Sequence, residues 1–145
     1  MTDFWYISVV FDGRYLLVPQ NEVESVEIIA DVQIQPEGGA VGWFFEHGFE
    51  SKVFCLSHDF SLLSSIPEQR EYFILLKNKQ PVGITCDEVE HINIQQEHLY
   101  LQDLPVVMKT PQSPISQLLI YQEKIGCVCR SAALIKYLNY LTTDK

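Results

Sequence analysis

Short runs of aromatic and β-branched residues, broken by glycine, proline and acidic positions, predict a chain built mainly from strands. Phe4–Phe11 is the first run, Asp12-Gly13 supplies a hairpin signal, and Tyr15–Val18 returns as far as Pro19. Gln20–Glu24 reads as a short linking turn or helical turn. Val26, Ile28 and Ala30 alternate with Glu27 and Ile29 as a third strand. Pro36, Gly38 and Gly39 make Gln35–Ala40 a loop, after which Val41–Phe45 and Lys52–Leu56 are strands joined around Gly48. Towards the C-terminus, Leu118–Tyr121 and Ile125–Cys129 flank a Gln122-Glu123-Lys124 turn. Ser131 is placed to cap a helix in which Leu134, Ile135, Leu138 and Leu141 recur at core spacing. Leu104–Pro114, with its three prolines, is the longest expected irregular loop.

The pattern repeats. A shift of about 66 residues lays Tyr6, Ile7, Val9 and Val10 on Tyr72, Phe73, Leu75 and Leu76. The same shift lays Val18 on Ile84, Glu22-Val23-Glu24 on Glu88-Val89-Glu90, and Val26 and Ile28 on Ile92 and Ile94. Apolar matches alone are common between strands, but the shared Glu-Val-Glu in register with its flanks points to a duplicated strand unit. Each copy is too small to bury a full core alone, so the two are expected to share packing. Glu22, Glu24, Glu88 and Glu90 read as solvated faces of the repeated turn.

Composition narrows the function. With 47% hydrophobic and 20% charged residues, the chain is globular rather than disordered. Its net charge of −9 repels phosphate backbones and anionic lipid, and its ten Lys and Arg residues form no run, which argues against a nucleic-acid role. No apolar stretch approaches a membrane span, and the N-terminus lacks a basic, apolar leader, so a cytoplasmic address is expected. Cys55, Cys86, Cys127 and Cys129 then read as free buried thiols.

Candidate chemistry is sparse. Cys55 and His58 could form a thiol–imidazole pair, but nothing marks a third orienting group and Cys55 falls in a strand of buried character. Cys127 and Cys129 point to one face of their strand, yet lack the second ligand pair of a structural zinc site. No phosphate cradle or nucleophile elbow is present. No catalytic residue, metal or cofactor is therefore assigned. The rival reading is a small-ligand sensor or enzyme using a pocket with Cys55, His58 or Cys127.

The order of these elements resembles the CheW-like domain family across nearly the whole chain. The resemblance rests on Pro81-Val82-Gly83-Ile84-Thr85-Cys86-Asp87-Glu88-Val89-Glu90-His91-Ile92 and on Gly13-Arg14-Tyr15-Leu16-Leu17-Val18-Pro19 followed by Val23 and Val26. It implies a mainly β fold of two intertwined SH3-like five-stranded β-barrels with a C-terminal helix. The single domain, 1–145, would comprise sub-barrels at about 4–63 and about 71–130, joined near 64–70, with a closing helix over about 131–142. It also implies a cofactor-free adaptor for chemotaxis or twitching-pilus signalling. The expected partners are a CheA-like histidine kinase, the cytoplasmic region of chemoreceptors, or both.

The family commonly carries Gly-x-x-Asn-x-Arg-Gly after its fourth element, where this chain has Gly42-Trp43-Phe44-Phe45-Glu46-His47-Gly48. An arginine's permanent charge and five-donor fork are thus replaced by an imidazole. The expected working surfaces are a hydrophobic groove between the barrels and a barrel edge. The expected protein-binding residues are Val41, Gly42, Phe45, His47, Gly48 and Phe49, with Phe45 weighted towards the core and the glycines weighed against a purely turn-forming role.

Overall fold

The computed structural model describes residues 3–46, 48–95, 100–103 and 112–143. The first half comprises β1 (Asp3–Phe11), β2 (Arg14–Pro19), β3 (Val23–Ile28), β4 (Gln33–Glu37), β5 (Ala40–Glu46) and β6 (Phe49–Phe54). The second comprises β7 (Tyr72–Leu76), β8 (Val82–Cys86), β9 (Glu88–Gln95), β10 (Tyr100–Asp103), β11 (Ile115–Tyr121) and β12 (Lys124–Cys129), closed by the helix α1 (Ser131–Thr143).

Two mixed sheets result. Sheet A has the order β10-β11-β12-β2-β1-β9, and sheet B the order β3-β7-β8-β6-β5-β4. The orders are the same once the halves are exchanged: each half inserts its opening hairpin into the sheet built by the other. The join is a parallel pair in both sheets, β12 with β2 and β6 with β8. Each is an open six-stranded sheet rather than the closed five-stranded barrel expected. In sheet B the edge strands β3 and β4 are consecutive in the chain, and a 3-10 turn at Ile29–Asp31 joins them instead of a ladder.

Hairpin exchange explains why the opening strands are unbroken apolar runs: both of their faces are buried. Ile74 and Leu76 of β7 enter a core shared by the two sheets and α1, together with Val9, Phe11, Leu16, Val18, Leu134 and Leu138. Phe73 and Leu75 face the other way, into a core private to sheet B with Val32, Val41, Phe44, Val53 and Cys55. Sheet A has its own private core of Tyr6, Leu17, Ile92, Ile94, Leu119 and Val128.

Several expectations need correction. β4 occupies part of the predicted loop: although Pro36 cannot donate to a ladder, β4 is an edge strand, and its pairing with β5 is irregular between Ile34 and Glu37. β10 was not legible as a strand, and residues 104–111 of the predicted long loop lie outside the described residues. Ser131 does not cap the helix with its hydroxyl. Its backbone N–H donates to Glu22 Oε1 at 2.8 Å, and Arg130 Nε donates to Glu22 Oε2 at 2.6 Å. A carboxylate there satisfies an orphan N–H and suits the helix dipole, so Glu22 is a structural group rather than a solvated one. Glu24, Glu88 and Glu90 are exposed as expected.

Candidate functional site

β5 and β6 meet in a tight hairpin whose last pair is Glu46 opposite Phe49, with Gly48 at φ +82°, a left-handed conformation that favours glycine. Val41, 1% exposed, is buried in the private core of sheet B. Gly42 is a close-approach glycine, since a Cβ there would lie 2.3 Å from the Gln33 carbonyl oxygen. These two residues set the hairpin in place rather than present it. Phe45, weighted towards the core, is instead 47% exposed, because β5 runs on past its last pairing with β4 at Trp43. Phe49 is 65% exposed. His47 lies outside the described residues. The hairpin thus exposes Phe45 and Phe49 on opposite faces, and the Phe49 face borders a cleft of about 280 Å³ lined by Phe44, Phe49, Glu24, Glu46 and Pro81.

A larger open groove, about 830 Å³, runs along the seam between the sheets. Its origin is a departure from the repeat. In β9, Ile92 sits opposite Tyr6 and is buried with Ile94 in the private core of sheet A. In β3 a bulge between Val23 and Ser25 inverts the strand. Ser25 and Glu27 now pair with Leu75 and Phe73 on the private-core face, while Val26 and Ile28 pair with Ile74 and Tyr72 on the opposite face. One extra residue exchanges the two faces of a strand. Val26 and Ile28 are therefore exposed, although the sequence aligns them with buried isoleucines. Val26 forms one wall of the groove and Trp5, 49% exposed, the other.

The floor and rim are more polar than the hydrophobic groove expected, with Glu22, Glu24, Lys77, His91 and Arg130 among the lining residues. Burial of the Tyr6 phenol in the floor raises its pKa against the opposing pull of Arg130.

At the opposite end of the seam lies a buried polar cluster that sequence reasoning missed. Arg70 is 2% exposed. Its Nη2 lies 3.0 Å from Asp12 Oδ2 and donates to the Leu56 carbonyl at 2.8 Å, and its Nη1 donates to Thr85 Oγ1 and Cys55 Sγ. Nε lies 3.0 Å from Asp87 Oδ1, an ion-pair contact without hydrogen-bond alignment. The guanidinium also packs 5.2 Å from the centre of the Phe11 ring. A single arginine thereby joins the β1–β2 turn, the β8–β9 junction and the end of β6. The one available signal was a lone arginine at the end of the joint near 64–70.

This cluster also places the residues of the rival enzymatic reading. Cys55 is fully buried, its thiol pKa is raised chiefly by burial, and its sulfur is engaged by Arg70 and Thr85. His58 is exposed in the following loop, where its backbone carbonyl accepts from Arg14 Nε. His58 and Cys127 line one open depression of about 430 Å³ with Arg14 and Ile125, and Cys55 is not part of it. Cys127 and Cys129 share a strand face, as expected, and that face is the shared core. Among the described residues no group of three or more His, Cys, Asp or Glu is placed to hold a metal ion. No described helix is long and apolar enough to cross a membrane.

Two mixed sheets that exchange their opening hairpins, closed by one C-terminal helix, define a CheW-like fold. The chain is similar in structure to the scaffolding protein TtCheW from Thermoanaerobacter tengcongensis, with a TM-score of 0.70 at 16% identity over 88% of this chain and 89% of that one. No family model and no curated protein matches the sequence.

Proposed function

We propose that this protein is a cytoplasmic, non-catalytic adaptor in a chemosensory system of the chemotaxis or twitching-pilus type. It holds a CheA-like histidine kinase, chemoreceptor cytoplasmic regions, or both, and needs no cofactor. The observation that carries this reading is the seam groove, where a strand bulge turns Val26 outward to face an exposed Trp5. Exposed apolar side chains rimmed by charge suit protein docking better than small-molecule chemistry. Likeness to a scaffolding protein supports the same reading. The β5–β6 hairpin, with Phe49 exposed on the face that borders the smaller cleft and Phe45 on the other, is a second contact surface. The domain is read as two interleaved units parted near residues 64–70.

The test is a calorimetric titration of the full chain with a kinase regulatory domain and, separately, a receptor cytoplasmic fragment. At least one should bind, and Val26→Glu should weaken that binding at least about tenfold, or about 1.4 kcal/mol. Its thermal unfolding should be unchanged, because Val26 is exposed. Failure of both partners to bind the wild type would sink the proposal.

A further inference from the structure

The two sheets end in equivalent mouths, and these differ in a way that identifies a ligand. In sheet A the mouth is framed by Tyr15, Glu90, Tyr121 and Lys124, leaving a cavity of only about 40 Å³. Its plug is a cation: Lys124 Nζ lies 5.0 Å from the centre of the Tyr15 ring. In sheet B the repeat puts Glu24 where sheet A has Glu90 and Pro81 where it has Tyr15. The matching hairpin ends put Phe49, opposite Glu46, where sheet A has Lys124, opposite Tyr121. An aromatic ring thus replaces the internal cation, and the mouth stands open at about 280 Å³ with Phe44 in its floor.

We propose that the sheet B mouth receives the side chain of a lysine or arginine from the partner that the adaptor holds; in that respect the inference rests on the adaptor reading. The cleft offers what the closed mouth uses internally: aromatic faces at Phe44 and Phe49 and a carboxylate at Glu24. An aliphatic stem packs on Phe44 while the charged head sits between Phe49 and Glu24. The chain's net charge of −9 favours a basic partner over long range. Lys79, exposed in the loop between β7 and β8, is a resident cation on the rim.

The probes are the N-acetyl methylamides of arginine, lysine and norleucine, titrated into the isotopically labelled full chain and followed by amide chemical shifts. Arginine and lysine should give saturable shifts at Glu24, Phe49 and Ser51, at least tenfold tighter than norleucine. Glu24→Gln and Phe49→Ala should each weaken them several-fold, and Lys79→Met should leave them equal or tighter. All three altered side chains are exposed, so the variants are expected to fold, and their unperturbed spectra elsewhere check this. The inference is overturned if norleucine binds as well as the cations, if the shifts centre on Tyr15 and Tyr121, or if Glu24→Gln changes nothing. Kinase or receptor binding without cation-induced shifts would sink the cleft and leave the adaptor standing. Shifts without partner binding would do the reverse.

Discussion

β3 and β9 descend from the same place in the repeated pattern and end in opposite roles. β9 is regular, and its Ile92 and Ile94 are core. β3 carries a bulge, and its Val26 and Ile28 are surface. The two ends of the seam differ likewise. One is closed by Arg70, its side chain fully buried, and the other by the Arg130–Glu22 pair, in which the arginine side chain is 62% exposed. In this pseudo-symmetric molecule, exposed apolar surface arises where one copy departs from the other, while the copy that keeps the rule buries the same positions.

The largest expected break in this contrast is at the seam. Arg70→Met should cost about 3–5 kcal/mol in urea unfolding, because two carboxylates lose their buried partner. Arg130→Met should cost at most about 1 kcal/mol, since an exposed pair is screened and Glu22 still accepts the Ser131 N–H. Equal losses would mean that the two ends are held alike.

The strands give the next contrast. Ile94→Ala, at a side chain 1% exposed, should lower stability by about 2–5 kcal/mol. Ile28→Ala should stay within about 0.5 kcal/mol in the same denaturant series. A large loss at Ile28 would show that the bulge is absent in solution.

A further effect, confined to alkaline pH, is one that both halves share. Burial pushes the Cys86 thiol up to about 12, helped by the Asp87 carboxylate, and raises Cys55 and Cys129 as well. In the unfolded chain these thiols ionise near 9, so above that pH the unfolded state binds fewer protons than the folded one. For Cys86, stability should therefore be undiminished below about pH 9 and fall between about 9 and 12, by up to about 1.4 kcal/mol per pH unit. Unfolding measured at several alkaline pH values should show a shallower decline in Cys86→Ala than in wild type.

Much of the fold was legible because strand signals are local. The runs at Tyr6–Val10 and Tyr72–Leu76, the Asp12-Gly13 turn and the leucines of α1 all behave as their spacing predicts. The candidate site was legible only in part. Phe49 and Gly48 were found on the hairpin by motif. Val41 and Gly42 proved to be supports, and Trp5, Val26 and Arg70 carried no local signal of exposure or pairing.

The sequence by itself determined the period of the strands, the position of the turns and the doubling of the pattern, all set by neighbours along the chain. Which sheet each hairpin joins, which face of β3 meets solvent, and which carboxylates find Arg70 were decided only by tertiary structure. Asp12 and Asp87 are 75 positions apart, and their meeting at one backbone contact depends on the exchange of whole hairpins. A bulge of one residue leaves the hydrophobic pattern unchanged and reverses its meaning, because a strand's two faces are set by its partner's register and not by its own composition.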